Sequence, residues 1–140
     1  MNNKFKIPWS ARSHFFTNKE ISKIIKVIKT ADILTQGKWL KKFEKKFLKY
    51  LNSKGKAFAV TSGASAIELA ANVLKLKKND EIIIPSHTYC ATALPFTRYD
   101  VKIKWADINK DDFTIDVEHV KKLINKKTKA IVAVHLYGLP

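Results

Sequence analysis

Val60-Thr61-Ser62-Gly63-Ala64-Ser65-Ala66 joins a short apolar run, Ala57 to Thr61, to an apolar segment, Ala64 to Leu74, across a Ser-Gly turn. The passage reads as a buried strand, a tight turn and a helix. That helix is apolar on nearly all sides, which predicts burial. Lys77-Lys78-Asn79-Asp80 then reads as a turn in which Asn79 can take a left-handed conformation. Ile82-Ile83-Ile84 follows as a buried strand ended by Pro85.

Downstream, the residues from about Tyr89 to Arg98 fit a helix that Pro95 would start or kink. Val101, Ile103 and Trp105 alternate with Lys102 and Lys104, the period of a half-buried strand. Val117, Val120, Leu123 and Ile124 form a helical face, and Ala130 to Val134 reads as a last buried strand. The order after Gly55 is therefore β-α-β-α-β-α-β, which predicts an α/β fold, a mainly parallel sheet with helices on both faces. The final residues, 135–140, follow a strand directly, so the next crossover is expected beyond Pro140.

Upstream, Ile21, Ile24, Ile25 and Ile28 have the spacing of an amphipathic helix, and Thr17-Asn18-Lys19-Glu20 reads as its capping box. A second helix follows Gly37, with Trp39, Phe43, Phe47 and Leu51 in one stripe and Leu40 and Leu48 widening it. The expected organisation is an N-terminal helical segment over residues 1–55 and the first part of an α/β domain over residues 56–140.

With 140 residues and 46% hydrophobic content, the chain can build one compact core. No apolar run reaches the roughly 18 residues of a membrane span, and Met1 to Lys6 does not open a signal peptide. The lone Cys90 cannot form an internal disulfide, which fits a reducing, cytoplasmic setting. The net charge of +15 leaves a phosphate-rich partner open. Yet nearly all the basic residues are lysines spread over every element, as on a solvated surface. Arginine, the better fork for phosphate and bases, occurs only at Arg12 and Arg98.

Three strand ends could hold chemistry. At Gly63 to Ala66, free amides and the helix dipole make an anion site, and Ser65 can add a hydroxyl. The same small residues could instead serve tight helix–sheet packing. In Pro85-Ser86-His87-Thr88-Tyr89-Cys90-Ala91-Thr92, Tyr89 could stack on a flat heteroaromatic ring and His87 could act as acid or base. Taken alone, Tyr89 reads as a core residue and His87 as a surface one. The third is His135 with Gly138, which has no acidic partner in view. Neither a zinc-like spacing nor a Ser-His-Asp order stands out, so no metal site is expected.

Together the segments say more. Thr35-Gln36-Gly37 with Leu40 and Phe43-Glu44 comes first, then Thr61-Ser62-Gly63-Ala64-Ser65-Ala66. Asn79 to Ser86 follows, with Thr88-Tyr89 and Ala91-Thr92, then Asp107-Ile108 and Ile115-Asp116. Lys127 to Ile131 and Val134-His135-Leu136-Tyr137-Gly138 close the set. In order and spacing, over almost the whole chain, this resembles the DegT/StrS-type sugar aminotransferases, which are fold-type-I PLP enzymes.

The resemblance implies an incomplete fold-type-I large domain that binds pyridoxal 5'-phosphate. Gly63, Ala64, Ser65 and Ala66 would cradle its phosphate, and Tyr89 would stack on its pyridine ring. The family usually has a hydroxyl residue where this chain has Ala64, so one phosphate hydrogen bond would move to Ser65. Asn79 stands where Gly is usual. By length the chain matches about the first third of such a protein. The acid that pairs with the pyridine nitrogen and the Schiff-base lysine are therefore expected beyond Pro140, and no lysine present sits in the family's context for that role. The complete enzyme would move an amino group, from glutamate, to a nucleotide-linked keto sugar for polysaccharide or secondary-metabolite biosynthesis. It would work as a homodimer, with no nucleic-acid or membrane partner. Two other readings stay open: a non-catalytic truncated remnant, and a small basic nucleic-acid-binding protein. The second lacks a helix-turn-helix, zinc ligands and a basic cluster interleaved with exposed aromatics.

Overall fold

The computed structural model describes residues 16–33 and 35–140. Arg12 and the Met1–Lys6 segment lie outside them. The chain divides into two compact units, Met1–Ala59 and Val60–Pro140.

The first unit holds α1 (Asn18–Thr30) and α2 (Lys38–Tyr50). The capping box forms: the Thr17 hydroxyl accepts the Glu20 amide at 3.3 Å, and the Glu20 carboxylate accepts the Thr17 amide at 2.7 Å. Gly37 caps α2, and a Cβ there would lie 2.8 Å from the Ile33 carbonyl oxygen, so glycine is required. Phe43 and Phe47 stack one turn apart at 5.9 Å. Both helices carry the expected apolar stripes, but neither contains a buried residue.

In the second unit, three parallel strands lie in the order β2-β1-β3. They are β1 (Glu81–Pro85), β2 (Lys102–Ala106) and β3 (Thr128–Ile131). The central strand β1 is buried along its whole length. Each of its three isoleucines gains roughly 1.5–3 kcal/mol from that burial. Ile82 and Ile84 face one side, where Ala71 of α3 (Gly63–Val73) and Phe96 meet them. Ile83 faces the other, packed with Ala106 and with Val120 of α4 (Val117–Leu123). Helices thus cover both faces of a parallel sheet. Asn79 takes its left-handed turn, φ 67°, where its amide reaches the Asp100 carbonyl at 2.8 Å. No described helix is long and apolar enough to cross a membrane.

Four expectations need correction. Residues 57–61 form no strand, and Phe58 is 70% exposed. A strand exists only through its ladder, and none of β1, β2 or β3 pairs with this segment. Its amide at Ala59 instead meets the Glu44 carboxylate at 3.1 Å. Helix α3 is not buried, because only Ala71 is enclosed, and Leu69, Val73 and the C-cap Leu74 stay exposed. The segment 89–98 is two 3-10 turns, Cys90–Thr92 and Leu94–Arg98, rather than one helix. Pro95, which has no amide to donate, sits in the first turn of the second. Finally, β3 spans Thr128–Ile131 and is half-exposed, because it is an edge strand with a single neighbour.

Candidate functional site

Parallel strands put their C-terminal ends on one edge of the sheet, where ligands of open α/β sheets gather. The segment after Pro85 leaves from this edge, and the Ser86 amide crosses to the Ala106 carbonyl at the end of β2, 2.8 Å away. Helix α3 packs against the turn Cys90–Thr92 that follows.

Ser62 caps α3 in extended conformation. Its hydroxyl accepts the Ser65 amide at 3.1 Å. The Ser65 hydroxyl lies 3.0 Å from both the Thr61 and the Ser62 hydroxyls, so three hydroxyls are contiguous. The Ala66 amide begins the helical ladder on the Ser62 carbonyl at 3.1 Å. The first two amides, of Gly63 and Ala64, have no acceptor within the helix. A Cβ at Gly63 would meet nothing within 4 Å, and Gly63 is not left-handed. Packing therefore does not account for this glycine.

Ala64 also lines a cavity of about 290 Å³ with Ala91 and Leu94, flanked by the Arg98–Glu68 ion pair. Tyr89 is 75% exposed and not a core residue. Thr88 and Thr92 join their hydroxyls at 2.8 Å around it.

His87 is half-buried, not a surface residue. Its ring meets Phe113 at 5.8 Å and 87°, and Tyr137 at 6.2 Å and 72°, both edge-on. Phe113 was not legible as a site neighbour, because the turn that holds it shows no periodicity. That turn is built by Asp112, whose carboxylate accepts the Thr114 amide at 2.8 Å and the Thr114 hydroxyl at 2.7 Å. These bonds hold the Asp112 carboxyl below the usual aspartate range. His135 is exposed and lies beyond β3, opening the turn Leu136–Gly138. Among the described residues, no three His, Cys, Asp or Glu side chains are grouped to hold a metal ion.

The profile of the DegT/DnrJ/EryC1/StrS aminotransferase family matches residues 16–140. A GDP-4-keto-6-deoxy-D-mannose 3-dehydratase of Yersinia pseudotuberculosis is 34% identical over 98% of this chain and 36% of its own length. A GDP-perosamine synthase of Vibrio cholerae is 37% identical over 76% of this chain and 29% of its own. In structure, the chain is similar to the E. coli GDP-4-keto-6-deoxy-D-mannose-3-dehydratase with bound hydrated PLP, with a TM-score of 0.79 at 32% identity. That match covers 87% of this chain and 32% of the other. The chain spans about a third of the length of the curated relatives it matches. Its α/β fold is that of the PLP-dependent fold-type-I enzymes, and the chain belongs to the DegT/DnrJ/EryC1/StrS aminotransferase family.

Proposed function

We propose that this chain supplies the phosphate and ring contacts for PLP in an enzyme that moves an amino group from glutamate to a nucleotide-linked keto sugar. The product would enter polysaccharide or secondary-metabolite biosynthesis. The start of α3 carries the reading. Two amides without helical acceptors, the positive end of a helix dipole and contiguous hydroxyls fit a phosphate. Open space over Gly63 leaves that donor set accessible. In this reading Gly63 and Ala64 donate their amides, Ser65 donates its hydroxyl, the small Ala66 leaves room, and the exposed Tyr89 ring lies against the pyridine. Bound PLP supplies the electron sink for amino transfer.

The anchoring lysine lies outside these 140 residues in this reading, so the chain alone is inactive; its short share of each relative supports this. The reading extends to a homodimer in a reducing, cytoplasmic setting with no nucleic-acid or membrane partner. The lone, unpaired Cys90 supports the reducing setting, and the scattered lysines support the absence of a nucleic-acid partner. One observation favours a second reading: the relative matched over 98% of the chain is a 3-dehydratase. Its chemistry would remove a hydroxyl from the same class of sugar.

The test uses the complete reading frame containing this chain, incubated with PLP, glutamate and GDP-4-keto-6-deoxy-D-mannose, with products identified by mass spectrometry. An aminated sugar nucleotide is expected, and a deoxygenated one would establish the second reading. Ser65→Ala should weaken PLP binding roughly tenfold to a hundredfold, the value of one charge-assisted hydrogen bond. Tyr89→Ala should weaken it and move the cofactor's absorption band. If both variants bind PLP like the parent, the assignment of these residues is wrong.

A further inference from the structure

We propose that His87 is a positioning residue: clamped between Phe113 and Tyr137, its imidazole fixes the turn that presents Tyr89 to the cofactor. The inference rests on the proposed role of Tyr89.

The three rings come from three different places in the chain. His87 follows β1, Phe113 lies between β2 and α4, and Tyr137 follows β3. The clamp therefore ties together the segments that leave all three strands at the edge where the site lies.

Its geometry is maintained against a backbone preference. Phe113 has φ 61° and Tyr137 has φ 57°, a region that bulky side chains disfavour. The other left-handed residues apart from glycine, among those described, are Gln36, Asn52, Lys75 and Asn79, all polar. Outliers of this kind persist where the surroundings over-determine them, and they gather at functional sites. Both aromatic outliers here pack on one imidazole. Each turn is held locally as well: the Asn109 carbonyl accepts the Phe113 amide at 3.0 Å, and the His135 carbonyl accepts the Gly138 amide at 3.0 Å.

Tyr89 cannot orient itself. Its ring is 75% exposed, and among the described residues its side chain makes no ring pair or hydrogen bond. Its direction is set by the backbone of residues 86–92. After Tyr89 that backbone is pinned by the Thr92 amide on the Tyr89 carbonyl, 2.9 Å, and by the Thr88–Thr92 hydroxyl pair. Before Tyr89 the pins are the Ser86 amide on Ala106 and the His87 ring. Removing the imidazole frees the turn on one side and leaves two rings facing a gap.

The experiment titrates PLP into the complete enzyme and its His87→Ala, His87→Phe and Tyr89→Ala variants, reading affinity and the visible circular dichroism of bound cofactor. Aromatic pairs of this kind set the scale, so His87→Ala should weaken PLP about tenfold and diminish the dichroism toward the Tyr89→Ala signal. His87→Phe, which keeps a ring in the clamp, should restore both. A merely structural role would lower the melting temperature and leave the dichroism of bound cofactor unchanged, and that result overturns the proposal. So does a folded His87→Phe that fails to restore the signal. Failure of the parent enzyme to bind PLP would instead remove the function on which the proposal stands.

Discussion

The side-chain amide of Asn125 donates to the Glu81 carboxylate at 2.7 Å, joining the turn before β3 to the first residue of β1. Glu81 is only 6% exposed. The same corner holds the Glu81 amide on the Lys127 carbonyl at 2.8 Å, and the Asn125 carbonyl oxygen of the side chain accepts the Lys127 amide at 2.8 Å. Here too the β1–β3 register shifts, between Glu81 and Ile82. Asn125→Ala should leave a buried carboxylate without this donor and cost about 1–3 kcal/mol. Urea denaturation of the complete enzyme measures it. A midpoint unchanged from the parent would show that water replaces the amide at no cost.

Gly63→Ala separates packing from ligand access. The added Cβ meets nothing within 4 Å, and alanine favours helix. The melting temperature without cofactor should hold or rise slightly, while PLP affinity falls through crowding at the first turn. If stability drops and affinity holds, the glycine serves packing after all.

The Asp112 turn gives a pH dependence with a defined sign. Its carboxyl titrates below the ordinary aspartate value because the Thr114 amide and hydroxyl bind the charged form. The folded value lies below the unfolded one, so the contribution is complete above the unfolded value. It is lost as pH falls through the folded value. Acidification below the carboxylate range should therefore loosen the turn that bears Phe113. Nuclear magnetic resonance of the Asp112 carboxyl carbon reads the titration directly, and an inflection at or above the ordinary aspartate value would contradict it.

The 140-residue chain by itself should show no transamination above the background of free PLP. It should also associate. Ile24, Phe43, Phe58, Val73 and Tyr137 are among many large apolar side chains that stay exposed, and both β2 and β3 are sheet edges. Light scattering after size exclusion should give a mass well above 16.0 kDa, together with dye binding to apolar surface. A cooperative thermal transition from a monodisperse monomer would refute this.

Much of the local chemistry was legible, though the two turns of 90–98 and the Asp112 turn were not. The Thr17–Glu20 box, the left-handed Asn79, the glycine before α2 and the Ile82–Ile84 strand all follow from neighbours in sequence, because caps, turns and apolar runs are decided by adjacent residues. The alternation of strands and helices likewise pointed to a parallel sheet covered on both faces. The small-residue start of α3 and the Ser65 hydroxyl were legible in Gly63-Ala64-Ser65-Ala66, whereas the Thr61 and Ser62 hydroxyls beside Ser65 came from the fold.

Tertiary structure decided the rest. Residues 57–61 have the composition of a strand, yet no described strand offers the hydrogen bonds that would make them one. Helix α3 has the composition of a buried helix, yet only Ala71 is fully buried, with Ile67 packed half-buried beside it. His87 gave no sign of its partners. Phe113 and Tyr137 lie 26 and 50 residues downstream, and they reach its ring only because three parallel strands end on one edge. Apolar composition states that a residue favours burial; which surface covers it depends on segments distant in the chain, and no local pattern encodes that.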